Sequence, residues 1–396
     1  MNYRLLFCIM IVLLPSSNVL GEGPLWQKEL ACDSNASYSP CAVFTDINDN
    51  KLLILGIPIR SSAEEGSFLL WKMDPNGEVS SQVKFGNVQK KSEAIHRLSQ
   101  YGDIAIKSDK SIFVLGDFDG STVSSLPITS KKGDKPSVKS IPNSRVEKGK
   151  KDELILRMRP AFNNSQIFAG RQGNNGLLFK LDDTGNEVWK KTFDLGQTEI
   201  FTDVVTDNNQ IYVAGYSGQV QGKMAFDTNT VQNFLLLYDL NGQLIKEEYF
   251  EGNPFPTETP QVSQLKSGTV LVVYDKSKDV LANNLNVRAY NPDLKFLWET
   301  QVVKTVGGAP PMSFKIIAVS GDRFFVGAVI NVGELILAEY TSEGKLVERW
   351  TLGKIAGPNG GLRLAELDKK VYAIFSNITY DSSQKIKIMV LAFPIK

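Results

Sequence analysis

Histidine is almost missing from this chain: His96 is the single example in 396 residues, and there are only three cysteines. A Ser-His-Asp or Cys-His arrangement would have to use His96, and neither a nucleophile elbow nor an HExxH helix accompanies it. His96, in AIHRLSQY, is read as structural or solvent-facing. An excess of one charge is also lacking, with 44 basic against 43 acidic residues. That balance excludes nucleic acid as an obligate partner and capture of ligands by a whole-surface field. Long hydrophobic runs are absent beyond the N-terminus, so no membrane span is expected. No cofactor and no metal motif is present. Asp46-Ile-Asn-Asp-Asn50 alternates oxygen ligands but lacks the glycine and closing Glu of a calcium loop, and reads as a turn between strands.

The N-terminus, MNYRLLFCIMIVLLPSSNVLG, has one basic residue, Arg4, then an apolar run from Leu5 to Leu14. The run is too short to span a bilayer, has no stop-transfer flank, and ends in small residues. It reads as a secretory signal cleaved after Gly21, leaving residues 22–396 as one exported, extracellular domain. Cleavage removes Cys8. The remaining pair, Cys32 and Cys41, lies in a polar stretch (CDSNASYSPC) and is expected to form a disulfide. A two-thiol metal site would lack further Cys or His ligands nearby. Asn35, Asn163 and Asn377 head N-x-S/T sequons and would carry glycans if the source is eukaryotic.

What the chain does have is periodicity. Tight turns recur between short apolar runs: Asp74-Pro-Asn-Gly77, Asp182-Asp-Thr-Gly185, Asp239-Leu-Asn-Gly242, Asn291-Pro-Asp-Leu294 and Thr341-Ser-Glu-Gly344. An Asp or Asn capping its own turn, with Gly three residues on, suits a hairpin built on a type I turn. A further turn is expected at Ser130-Lys-Lys-Gly133. Each unit of fifty-odd residues reads as four strands, as in EIFTDVVTDNN, QIYVAGYSG, NFLLLYDLNG and QLIKEEYF. Glycines such as Gly56, Gly170, Gly215 and Gly327 interrupt the second strands and defeat a helical reading. The last unit supplies only three strands before the chain stops. Gly23–Leu30 (GPLWQKEL) copies the outer strand NEVWKKTF, so it is expected to complete the last blade and close the ring. The fold class is all-β, a seven-bladed β-propeller with four antiparallel strands per blade.

GLLFKLDDTGNEVWKKTF followed by IFTDVVTDNNQIYVAGYSG resembles the seven-bladed β-propeller repeat family of exported, mainly bacterial proteins. The resemblance implies a propeller in an exported protein and brings no catalytic residues with it. Leu181–Trp189 also resembles quinoprotein repeats, but only Trp189 and Trp298 share that place in their blades, whereas a quinone-binding propeller needs Trp in most blades.

The turns joining first to second and third to fourth strands are uniformly tight, whereas the connections on the opposite face are long and varied. That second face either meets the ligand or merely tolerates insertions. Carboxylate pairs for glycoside chemistry would be Asp117 with Asp119 or Asp203 with Asp207. Lys131–Lys151 holds eight basic residues against two acidic ones, as a solvated edge or as a contact for anionic polysaccharide through Lys148, Lys150 and Lys151. The function expected is a monomeric, secreted binding or interaction module for an extracellular protein or glycan. The alternatives are a carbohydrate-active propeller enzyme and a structural component of an extracellular matrix or coat.

Overall fold

The computed structural model of the chain describes residues 23–30, 36–61, 65–89, 103–106, 111–118, 121–127, 139–140, 153–221, 225–226, 230–253, 259–276, 282–306, 313–330, 333–354, 361–378 and 386–396. The described residues are almost wholly strand and turn; the exception is a single 3-10 turn, Phe162–Asn164. No helix among them is long and apolar enough to cross a membrane.

The chain opens on β1 (Trp26–Leu30) and then lays down sheets in order. The first comprises β2 (Ala36–Asp46), β3 (Lys51–Ser61), β4 (Glu65–Met73) and β5 (Val79–Gln89). The second comprises β6 (Asp103–Ile106), β7 (Ser111–Phe118), β8 (Ser121–Pro127) and β9 (Lys139–Ser140). The third comprises β10 (Glu153–Pro160), β11 (Gln166–Gln172), β12 (Asn175–Leu181) and β13 (Glu187–Phe193). The fourth comprises β14 (Thr198–Thr206), β15 (Gln210–Gly218), β18 (Gln232–Asp239) and β19 (Leu244–Glu251), with the small hairpin β16 (Val220–Gln221) and β17 (Ala225–Phe226) inserted. The fifth is β20 (Gln261–Gln264), β21 (Val270–Asp275), β22 (Ala282–Tyr290) and β23 (Phe296–Val306). The sixth is β24 (Ser313–Val319), β25 (Arg323–Ile330), β26 (Glu334–Thr341) and β27 (Leu346–Lys354). The last is β28 (Arg363–Leu367), β29 (Lys370–Ile378) and β30 (Ile386–Pro394), with β1 as its outer strand.

Apart from the two-stranded β16–β17 hairpin, each sheet is antiparallel and four-stranded, the architecture of a β-propeller blade. Six are full blades with outer strands of at least five residues. The sheet β6–β9 is reduced, since its outer strand is only Lys139–Ser140. The expectation of seven blades is therefore corrected to six full blades and one small sheet. Ser130–Gly133 lies outside the described residues.

The turns form as their chemistry requires. Asp74, Asp182 and Asp239 each use one carboxylate oxygen to accept backbone N–H groups two and four residues on, at 2.7–2.9 Å. The closing glycines, Gly77, Gly185, Gly242 and Gly344, have φ between +76° and +91°. Leu294 holds that place in the fifth blade at φ +53°, where its complete burial offsets the strain.

The copied outer strand has a physical purpose. Trp26, Trp189 and Trp298 each lay their indole on the turn glycine of a neighbouring blade: Gly77, Gly242 and Gly344, respectively. A Cβ on any of those glycines would come within about 3.0 Å of the indole ring, so the contact selects glycine twice over. Trp189 Nε1 donates to Leu240 O at 3.1 Å and Trp298 Nε1 to Ser342 O at 3.2 Å. At the seam the equivalent carbonyl, Pro75 O, accepts from Tyr372 Oη instead, at 3.0 Å. In the fourth blade Lys246 stands at the Trp position, its Nζ donating to Leu294 O at 2.9 Å. Between blades the core is aromatic: Phe193, Phe201 and Phe234 meet with centroids 5.6–5.8 Å apart. Successive inner strands contact one another in a circuit, β28, β2, β6, β10, β14, β20, β24 and back to β28.

Candidate functional site: the axial cavity

Inner strands present their first edge to the axis, and their unpaired backbone groups need partners. Three of them carry a bulge at one level, leaving Cys41, Leu156 and Thr202 as the extra residues. Each bulge resets the alternation, so the residue after it takes a new direction. The result is one layer around the axis: Ala42, Asp103, Arg157, Asp203, Gln261, Lys315 and Arg363, all buried.

This layer latches strand to strand. Asp103 Oδ2 accepts from Met158 N of β10 at 3.1 Å, and Asp203 Oδ2 accepts from Val262 N of β20 at 3.1 Å. Gln261 Nε2 donates to Phe314 O of β24 at 2.9 Å. Arg363 Nε donates to Cys41 O of β2 at 2.7 Å. Arg159, one turn of the pleat further on, ties two blades together: Nη1 donates to Asp103 Oδ2 and Nη2 to Asp203 Oδ1, the latter at 3.1 Å. Arg157 Nε lies 3.7 Å from the same Asp203 oxygen. Burial works against the charge of Arg159, but Asp103 and Asp203 outweigh it and raise its pKa above the ordinary arginine value.

Beyond the layer lies a cavity of about 260 Å³. Among the described residues its charged lining is Arg157, Arg159, Lys315 and Arg363 against Asp103 and Asp203, a cationic excess inside a partly enclosed space. Toward the C-terminal ends of the inner strands the lining becomes half-exposed at Phe44, Thr45, Val205, Ser263 and Ile317. The mouth therefore faces the tight turns between first and second strands. This is the face opposite the long connections, which the sequence offered either as a ligand face or as tolerated insertions and most of which lie outside the described residues.

Asp103 and Asp203 are the carboxylates nearest the axis, but both are taken up by backbone N–H groups and Arg159, as struts between blades. Asp207, the other half of one expected pair, instead accepts from Gln264 Nε2 at 3.0 Å and from its own turn. Of the other pair, Asp117 lies on β7 and Asp119 outside the described residues. Asp46–Asn50 is the turn expected, with Asp49 N donating to Asp46 Oδ1 at 3.2 Å. No group of three or more metal-ligating side chains occurs among the described residues.

The expected Cys32–Cys41 disulfide is corrected. Cys41 is a free thiol, 1% exposed, and its Sγ donates to Leu55 O at 3.4 Å; Cys32 lies outside the described residues. As the bulge residue of β2, Cys41 is turned into the protein rather than toward the polar stretch before it. Burial pushes its pKa up to about 12. Iodoacetamide should accordingly leave Cys41 unmodified in the native protein at pH 8–9 and alkylate it after denaturation, as read by peptide mass analysis. Modification of the native protein at the denatured rate would contradict the burial.

Asn163 is exposed in the 3-10 turn, and Asn377 is half-buried on β29 opposite Lys387. Asn35, His96, Lys148, Lys150 and Lys151 lie outside the described residues. The axial layer was missed in the sequence because its members come from separate repeats. The signal available was a charged or amide residue in each described inner strand, at no fixed place along the strand.

No family model matches the chain, and no curated protein does. Solved structures do resemble it. The lectin BP39L from Burkholderia pseudomallei superposes with a TM-score of 0.59 at 12% identity, over 90% of this chain and 96% of that one. The polysaccharide lyase Uly1 gives 0.58 at 9% identity, over 95% and 100%. Drosophila Plexin A, solved in complex with Semaphorin 1b, gives 0.52 at 9% identity, over 95% and 88%. At these identities the likeness concerns architecture alone, and the chain has the β-propeller fold.

Proposed function

We propose that this protein is a secreted, monomeric binding propeller whose ligand, an extracellular glycan or protein, enters the axial cavity. The observation that carries the reading is the cavity itself: lined by both charged and apolar side chains, with more cations than carboxylates among the described residues, and reached by residues from every described inner strand. A seven-bladed ring, with β6–β9 as its smallest blade, is part of the proposal, supported by the contribution of Asp103 and Ile104 to the lining. Binding is preferred to catalysis because the axial carboxylates are held as struts. The propellers named above as a lectin and as a partner of a semaphorin are consistent with recognition on this scaffold.

The proposal is tested by probing a glycan array and a panel of extracellular proteins with the parent and with Ser263→Trp, which fills the half-exposed mouth. Parent ligands should be lost in the variant. Ligands retained in full would place the site elsewhere.

A second contact is proposed on the basic segment, where Lys148, Lys150 and Lys151 would meet a sulfated or carboxylated polysaccharide. Replacing all three by Gln should lower retention on heparin. Elution of the parent should fall to modest salt, because such contacts are screened within about 10 Å at 0.1 M ionic strength. Equal retention of parent and variant would leave a solvated edge as the account. The export signal, cleavage after Gly21 and glycans at Asn35, Asn163 and Asn377 belong to the same reading; mass analysis of secreted protein tests all of them.

A further inference from the structure

We infer that the axial cavity receives a sugar acid, a polyhydroxy ring bearing one carboxylate, as the free monosaccharide or as a glycan terminus. The inference deepens the binding reading above and rests on it. Among the described residues four cationic side chains and two carboxylates line the space, so an anionic group gains from the excess. Two of the cations, Arg157 and Arg363, are buried guanidinium groups already oriented by backbone carbonyls: Leu156 O accepts from Arg157 Nη1 at 2.8 Å, and Cys41 O and Leu362 O accept from Arg363 at 2.7 and 2.8 Å. A held guanidinium fork matches the planar carboxylate and loses little freedom on binding it.

Charge alone does not select a sugar. The carboxylates of Asp103 and Asp203 are already engaged by backbone N–H groups and Arg159, so selection among anions falls to the neutral lining. Gln261, Thr45 and Ser263 add amide and hydroxyl groups, and Phe44, Val205 and Ile317 give the mouth an apolar side against which ring C–H groups can lie. At about 260 Å³ the space is far larger than one water or a small ion needs. A ligand carrying a carboxylate, several hydroxyls and an apolar ring face uses all three kinds of lining. An inorganic anion uses one.

The test is titration calorimetry of the full mature chain with D-glucuronate, with D-glucose, acetate, inorganic phosphate and a short Glu-rich peptide as comparators. D-Glucuronate should bind, and an oligosaccharide ending in glucuronate should bind at least as well if the natural source is a chain end. Glucose and acetate should each bind at least about tenfold more weakly, as should Lys315→Met toward glucuronate, since each removes one charged or polar contact. Because Lys315 is buried, its variant is checked by circular dichroism; if it does not fold, Phe44→Leu at the mouth takes its place with the same expected direction. Absence of heat with glucuronate up to about 10 mM overturns the inference. So does binding of phosphate, acetate or the peptide as strong as that of glucuronate, or unchanged affinity in the folded variant. A neutral glycan or protein lost in Ser263→Trp, with no glucuronate binding, leaves the binding reading standing and removes only the sugar acid.

Discussion

A chain shortened by residues 22–30 will aggregate, or melt roughly 5–8 °C below the parent. β1 is the outer strand of the last blade and pairs with β30 over five residues, from Trp26 opposite Ala392 to Leu30 opposite Ile388. Leu30 is fully buried, and Leu25 N adds a bond to Ala392 O at 2.8 Å. Trp26 packs on Gly77 of the first blade and on Tyr372, with ring centroids 5.7 Å apart. Glu29 and Lys387 form an ion pair at 2.8 Å, which is partly exposed and adds little. Losing one buried leucine, much of an indole and several strand hydrogen bonds costs about 4–6 kcal/mol. A chain of this size loses about 1.3 °C per kcal/mol, on an unfolding entropy of ~2.1 cal/mol/K per residue. The bared edge of β30 then offers a template for another molecule. Differential scanning calorimetry with light scattering reads both effects, and a monomeric shortened chain melting within a degree or two of the parent would contradict the closure.

The second large effect is expected at Asp203. One carboxylate there binds Val262 N of the next blade, its own Val204 N, and Arg159, with Arg157 at 3.7 Å. Asp203→Ala leaves buried Arg157 and half-buried Arg159 facing each other with one anion fewer, at a cost of about 3–5 kcal/mol. The change also strips an inner-strand N–H of its acceptor. Pairing Asp203→Leu with Arg157→Met removes anion and cation together, and should recover part of the loss relative to Asp203→Leu alone. Urea unfolding measures both. A cycle showing no coupling between the two positions would mean that the axial ion pairs do not brace the blades.

The amino-acid sequence by itself determined the local parts of this protein. Asp74, Asp182 and Asp239 with their trailing glycines set hairpins within a few residues of chain, and the strands between them follow from alternation and β-branched content. Even the ring closure was legible, because Trp26 repeats the place of Trp189 in a strand that the last unit lacks. The small size of β6–β9 was decided by pairing, since among the described residues only Lys139 and Ser140 join β8. What tertiary structure alone decided was direction across and around the ring. A bulge at Cys41, Leu156 or Thr202 is a property of two strands in register, and nothing in one strand's pattern announces it. The bulges turned Cys41 inward and set Arg157 and Asp203 level with Asp103, Lys315 and Arg363, whose strands pair without a bulge. Those residues are separated by about one repeat or more of chain, and their charges become neighbours only when the sheets close on a common axis. The cavity and its cationic excess are therefore a property of the closed ring, absent from any single repeat.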